Sequence, residues 1–158
     1  MIVWKGYKLH SAVDGHCVPL AAIVTSASLH DSQAGIPLGA KANEVCRSLY
    51  DLMDSAYHVE GIIEHSQSLG HVPIVGAWSK NSEEKAAKKV EDKKRKILSW
   101  KPAEEVRYQE RGKCERFNAL FKDYFGGLTV RVKGHLKVSC HLMFGVLSLA
   151  ALVLLNLV

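Results

Sequence analysis

The residues best suited to chemistry lie in the run YQERGKCERFNALFK, Tyr108 to Lys122. Arg111 stands four residues before Glu115, and Lys122 seven after it. At ~100° per residue, a helix sets Tyr108, Arg111, Glu115 and Lys122 within about 40° of Glu115, on one stripe roughly 20 Å long. The opposite side carries Val106, Phe117, Leu120, Phe121 and Tyr124. The segment therefore reads as one long helix with a core face and an ordered polar stripe. On the plainest reading Arg111 and Glu115 form a surface i,i+4 ion pair worth about 0.3 kcal/mol. An active-site edge needs a second acid from elsewhere in the chain.

Asp54 is the candidate. It closes the apolar run YDLM, and open α/β sheets place their sites at the carboxyl ends of strands. Asp is also a common helix N-cap, which is the competing role for Asp54. A carboxylate at a strand end and another on a packed helix suit Mg²⁺, which takes a few carboxylates plus water and phosphate oxygens. Two such ions can activate a nucleophile and stabilise a leaving oxygen in phosphodiester chemistry. Arg111 would then grip phosphate by its fork, and Lys122 would act as a point charge.

These motifs resemble the catalytic domain of DDE-type insertion-sequence transposases, in the insertion-sequence-four-like branch with a Tyr-Arg-Glu-Lys signature. Tyr108, Arg111, Glu115 and Lys122 match that spacing without a gap, and LYDLMDSAYH is similar to the segment bearing the second catalytic Asp. The segments WKGYKLH, TSASLHDS and VRVKGHLKVSCHLMFGVLSLA also look like family segments. The resemblance implies a ribonuclease-H-like fold, a mixed sheet flanked by helices. It implies metal-dependent DNA cleavage at transposon ends, then strand transfer. Asp54 and Glu115 would be ligands to Mg²⁺ or Mn²⁺, and Tyr108, Arg111 and Lys122 would bind DNA phosphates. Arg131, Lys133 and Lys137 are further expected DNA contacts. Only Met1, Ile2 and Val3 precede Trp4, so the strand with the family's first Asp is expected to be missing. The two-metal site would be incomplete and activity weak. The neighbours of that central strand would keep unpaired edges, favouring poor solubility or dimerisation. His30 and Asp31 are possible site neighbours, since they follow a strand expected to run parallel to that of Asp54. A helix N-cap is the competing role for Asp31.

The elements that must position these residues follow from pattern. WKGYKLHSAV and HCVPLAAIVT read as strands around a two-residue Asp14-Gly15 turn, with Pro19 at a strand start or an edge. A weak helix follows, interrupted early by Gly35, Pro37 and Gly39, with ANEVCRSL as its better part. YDLM, a helix presenting Val59, Ile62, Ile63 and Leu69, and HVPIVGAW make a parallel βαβ unit. Gly70 is the stop signal between them. Residues 80–105 read as a basic helical or linker insertion, with nine Lys/Arg and four Asp/Glu between Lys80 and Lys101. LTVRVKGHLKV alternates like a strand.

The chain has 158 residues, enough for one domain, with net charge +5 and pI about 9.0. That balance suits DNA or another anionic surface. The four cysteines, Cys17, Cys46, Cys114 and Cys140, form no C-x-x-C pair and read as reduced thiols. Met1 runs directly into a strand pattern rather than a secretion signal. The last 17 residues carry no charge, at the short limit for a membrane span. Gly145, Ser148 and Asn156 interrupt the run, and a sheet needs a covering helix, so a core helix is the better reading. The expected setting is cytoplasmic and nucleoid-associated. The expected partners are DNA and either a second copy or a full-length relative, with no small-molecule substrate.

Overall fold

The computed structural model describes residues 6–76 and 103–157. Most of the basic insertion, and Trp4 of the first expected strand, lie outside them. The described elements are β1 (Tyr7–Val13), β2 (Pro19–Ser26), α1 (Gly35–Val45), β3 (Tyr50–Met53), α2 (Glu60–Ser68) and β4 (Val72–Val75). After the undescribed stretch come α3 (Ala103–Tyr108), α4 (Gly112–Tyr124) and α5 (His135–Leu155). Short 3-10 turns at Asp31–Ala34, Ser55–Tyr57 and Gln109–Arg111 precede α1, α2 and α4.

β1 and β2 form the expected hairpin, with Pro19 as the first residue of β2. The two-residue turn is corrected to a longer loop. Asp14 Oδ1 accepts both the His16 and Val18 N–H groups at 2.8 Å. Asp and Gly thus build an Asx-type loop rather than a tight turn. α1 also begins earlier than its glycines suggest. Pro37 falls in its first turn, where its missing N–H costs no helical hydrogen bond.

The single mixed sheet is corrected as well. β1 and β2 pair antiparallel, while β3 and β4 pair parallel, and the two ladders are not hydrogen-bonded to each other. Helices hold them together. α4 and α5 pack on one face of the hairpin, where Leu9, Val13, Ala22 and Val24 meet the cluster of Phe117, Phe121, Val138, Leu142, Val146 and Leu149. Leu9 stands opposite Val24 in the register, so alternate positions build that face. α1 covers the other face and contacts α2, which packs on β4. On α2, Ile62 is buried, but Val59, the residue just before the helix, is exposed.

Gly145 permits the α4–α5 crossing. A Cβ there would collide with the Phe125 carbonyl oxygen and the Phe121 ring. The expected strand at 128–134 is absent. No strand edge among the described residues pairs with it, and alternation without a ladder partner cannot satisfy the backbone. Val130 packs on the core instead, and Gly134 turns the chain at φ 91° into α5.

α5 is a core helix along one narrow stripe. Val138, Leu142, Gly145, Val146 and Leu149 are buried, while Leu136, Phe144, Leu147 and Leu155 are exposed. It is also long and apolar enough to cross a membrane. Length and composition of this kind are shared by helices that cover a core, and here only 22% of the span is buried. Val106 and Tyr124, expected in the core, are exposed.

Phe117 is fully buried and Tyr124 is 76% exposed. Phe117→Ala should therefore cost about 3–5 kcal/mol in urea unfolding, while Tyr124→Ala should stay within about 0.5 kcal/mol.

Candidate active site

The site forms where β3 ends and α4 begins. Asp54 follows β3 and caps the 3-10 turn Ser55–Tyr57, with Oδ1 accepting the Ser55 N–H at 2.7 Å. The capping role is therefore real, and Oδ2 stays available. Arg111 NH1 lies 3.6 Å from Asp54 Oδ2, and its NH2 donates to Glu115 Oε1 at 2.6 Å. One guanidinium bridges two carboxylates brought together from distant segments. Both carboxylates are more than half exposed, at 55% and 65%, so the pairing is screened and contributes little to stability.

The helix carrying this stripe is not continuous. A 3-10 turn at Gln109–Arg111 separates α3 from α4. Three residues per turn instead of 3.6 swings Tyr108 by roughly 60° and nearly eclipses it with Arg111. The Arg111 guanidinium accordingly lies 5.7 Å from the centre of the Tyr108 ring. Tyr108 also reaches the end of β4. A Cβ on Gly76 would strike its hydroxyl and lie 3.6 Å from Ser55 N. Gly76 thus lets Tyr108 settle beside the Asp54 turn, and Arg107 stacks over Tyr50 at 4.4 Å. Tyr108, Arg111, Asp54 and Glu115 form one cluster.

Lys122 is not in that cluster. It is exposed in the last turn of α4, about 10.5 Å along the axis from Glu115, and lines the cleft below the site. Arg131, Lys133 and Lys137 are exposed near the start of α5, and only Lys133 lines the cleft.

The 3-10 turns after β2 and β3 touch each other, so the end of β2 lies on the Asp54 side. Asp31 is engaged there by Lys8, which donates to its Oδ1 at 2.8 Å. That hydrogen bond, outweighing the upward push of burial, holds the Asp31 carboxyl below its usual range. The cap of this turn is His30, whose Nδ1 accepts the Ser32 N–H at 3.3 Å, rather than Asp31.

Sequence reasoning missed the polar network beneath. His10 is 6% exposed, and its Nδ1 is hydrogen-bonded to Tyr57 OH at 3.0 Å and its Nε2 to Thr25 Oγ1 at 2.9 Å. Burial, then the charges of Asp31, Cys114 and Asp54, push the Tyr57 phenol up to about 12. Burial likewise pushes the Cys114 thiol up, which keeps it protonated and unreactive. The available signal was Tyr57's place three residues after Asp54 in the same short segment.

Hard carboxylate oxygens at Asp54 and Glu115 have the chemistry a divalent cation takes, with water and phosphate completing the shell. Among the described residues no group of three or more His, Cys, Asp or Glu converges at ligand distance.

Asp54 stands at the carboxyl end of β3, where open α/β sheets place their sites, and Arg111 and Glu115 reach it from the 3-10 turn before α4 and from α4 itself. The sequence model of the transposase DDE domain family matches residues 3–151, and the chain belongs to that family. Its domain is ribonuclease-H-like in general, its chemistry is DNA-mediated transposition, its general partner is DNA, and the family uses divalent metal ions. No curated protein and no solved structure matches the chain.

Burial lowers the His10 pKa below 6.5, with Asp31 opposing the shift and Lys8 adding to it. The unfolded chain then protonates first as pH falls. The His10 contribution is whole above pH 6.5 and is lost as pH drops toward the folded-state pKa. Urea unfolding should show lower stability at pH 5.5 than at pH 7.5, with a smaller difference in His10→Asn. An unchanged difference in that variant would contradict the assignment.

Proposed function

We propose that this chain cleaves DNA at transposon ends and transfers the freed 3′ strand into target DNA, in the Tyr-Arg-Glu-Lys branch of the family. The observation that carries this reading is the meeting of Asp54 and Glu115 at Arg111. Asp54 and Glu115 would hold Mg²⁺ or Mn²⁺, which supplies Lewis acidity and neutralises charge at the scissile phosphate. Arg111 offers a phosphate the same fork it offers two carboxylates. Tyr108, fixed against Gly76, adds a rigid donor beside it. Lys122 and Lys133 line the adjacent cleft and would steer the DNA backbone toward the carboxylates. Two carboxylates rather than three converge among the described residues, so slow catalysis by the chain alone is part of the proposal. Assembly with a second copy or a full-length relative on nucleoid DNA in the cytoplasm is the corresponding cellular setting.

The exposure of Arg131, Lys133 and Lys137 favours a second reading, DNA binding without cleavage. Such binding would weaken steeply with salt, because each phosphate contact releases counterions. A membrane-anchored chain is the least supported reading, since one face of α5 is committed to the core.

A duplex nicking assay with Mg²⁺ and then Mn²⁺ tests the first reading. Cleavage should be slow, and Asp54→Asn or Glu115→Gln should each lower it by about 10²-fold or more. Cleavage that survives both substitutions would refute it. Salt-sensitive binding with no cleavage in either metal would establish the second reading instead.

A further inference from the structure

Asp54 and Glu115 are carried by different parts of the fold. Glu115 rides on α4, which packs on the β1–β2 hairpin through Phe117 and Phe121. Asp54 stands at the end of β3, whose strand partner is β4. The spacing of the two carboxylates is therefore the spacing between the hairpin and the turn after β3. Tyr57 closes that turn. Its N–H donates to the Asp54 carbonyl oxygen at 2.9 Å, and its hydroxyl is hydrogen-bonded to Nδ1 of His10, on β1, at 3.0 Å. His10 Nε2 is in turn hydrogen-bonded to Oγ1 of Thr25, on β2, at 2.9 Å. A neutral imidazole donates at one ring nitrogen and accepts at the other, and a hydroxyl can do either, so both positions are satisfied.

We propose that Tyr57 and His10 are positioning residues for the cation site. Their hydrogen bond sets the distance between the Asp54 turn and α4, and with it the fit of Asp54 and Glu115 around a divalent ion. This role rests on the reading of those two carboxylates as cation ligands.

The geometry suits the task. Ligands must be held within about 0.5 Å of their productive positions by side chains that are themselves locked. His10 is buried and bonded at both ring nitrogens. The Tyr57 ring lies against the start of α1, where a Cβ on Gly35 would stand 3.3 Å from Tyr57 Cδ1 and collide with Ile62. Arg111 also links Asp54 to the α4 side, but at 3.6 Å and through an exposed carboxylate. A bound phosphate would compete for that guanidinium. The Tyr57–His10 bond uses no atom of either carboxylate, so it holds the turn in place while ions and phosphates exchange.

The test measures Mn²⁺ affinity and amide hydrogen exchange on the full chain and its variants. Tyr57→Phe removes only the hydroxyl, and His10→Leu removes its partner. Each should weaken Mn²⁺ binding by about tenfold, the scale for residues that orient metal ligands from behind. The double variant should be no weaker than the weaker single one, because both break the same bond. His10→Asn places an amide where Nδ1 stands and should recover most of the affinity that His10→Leu loses. In the metal-free chain, Tyr57→Phe should speed exchange at the Tyr57 and His58 amides, which close the turn. Ile62→Val thins the packing at Gly35 without touching the bond and should change neither measurement. Unchanged Mn²⁺ affinity in Tyr57→Phe, unchanged turn exchange, or equal weakening by Ile62→Val would each overturn the proposal. Binding that falls in Asp54→Asn and Glu115→Gln but not in Tyr57→Phe overturns the positioning role alone. Binding indifferent to both carboxylates overturns the cation site itself, and the positioning role with it.

Discussion

The site depends on the burial of Phe117. That ring is fully buried and stacks with Phe121 at 6.1 Å between centroids, both packed on α5 and the hairpin. Residues two apart on a helix point about 200° apart. Driving Phe117 inward therefore drives Glu115 outward, and Arg111, one turn earlier, follows it. The rotation of α4 is set by its aromatic anchors, and the polar stripe faces β3 as a consequence. Gly145 completes the constraint by letting α5 approach the end of α4.

The strand side of the site has a different kind of support. β3 is only four residues long and, among the described residues, pairs only with β4. Asp54 is positioned by its cap on Ser55 and by Tyr108 packed against Gly76. Asp51 below it accepts from Ser66 Oγ at 2.6 Å and pairs with His71 Nδ1 at 2.9 Å, tying β3 to α2 and the start of β4. Helices and side-chain bonds, rather than a continuous sheet, thus bring the acidic turn up to α4. Function and fold meet in Arg111, which contacts one carboxylate from each side.

Much of this was legible in the sequence because it is local. The hairpin strands, the β3–α2–β4 unit, the start of α5 at His135 and the i,i+4 spacing of Arg111 and Glu115 all follow from short-range periodicity. What was not legible depends on distant partners. The alternation at 128–134 looks like a strand, but no ladder partner lies beside it among the described residues. The break at Gln109–Arg111 has no sequence mark beyond Gly112, and it moved Tyr108 off the stripe that helical angles assigned. Asp14-Gly15 signalled a tight turn, yet the Asp14 carboxylate captured two backbone N–H groups and built a longer loop. The burial of His10 and Tyr57, and the separation of the two ladders, arise only from how the elements meet. Lys122 keeps its signature spacing while standing apart from the carboxylates.

The central claim is that Asp54 and Glu115 belong to one cation-binding site. Mn²⁺ binding followed by electron paramagnetic resonance, on the chain and on Asp54→Asn, Glu115→Gln and the double variant, tests it directly. Each single substitution should weaken binding by about tenfold or more, and the double variant should lose little beyond the singles, because coupled residues at one site are not additive. Binding that is indifferent to either residue, or losses that add as for independent sites, would contradict the account.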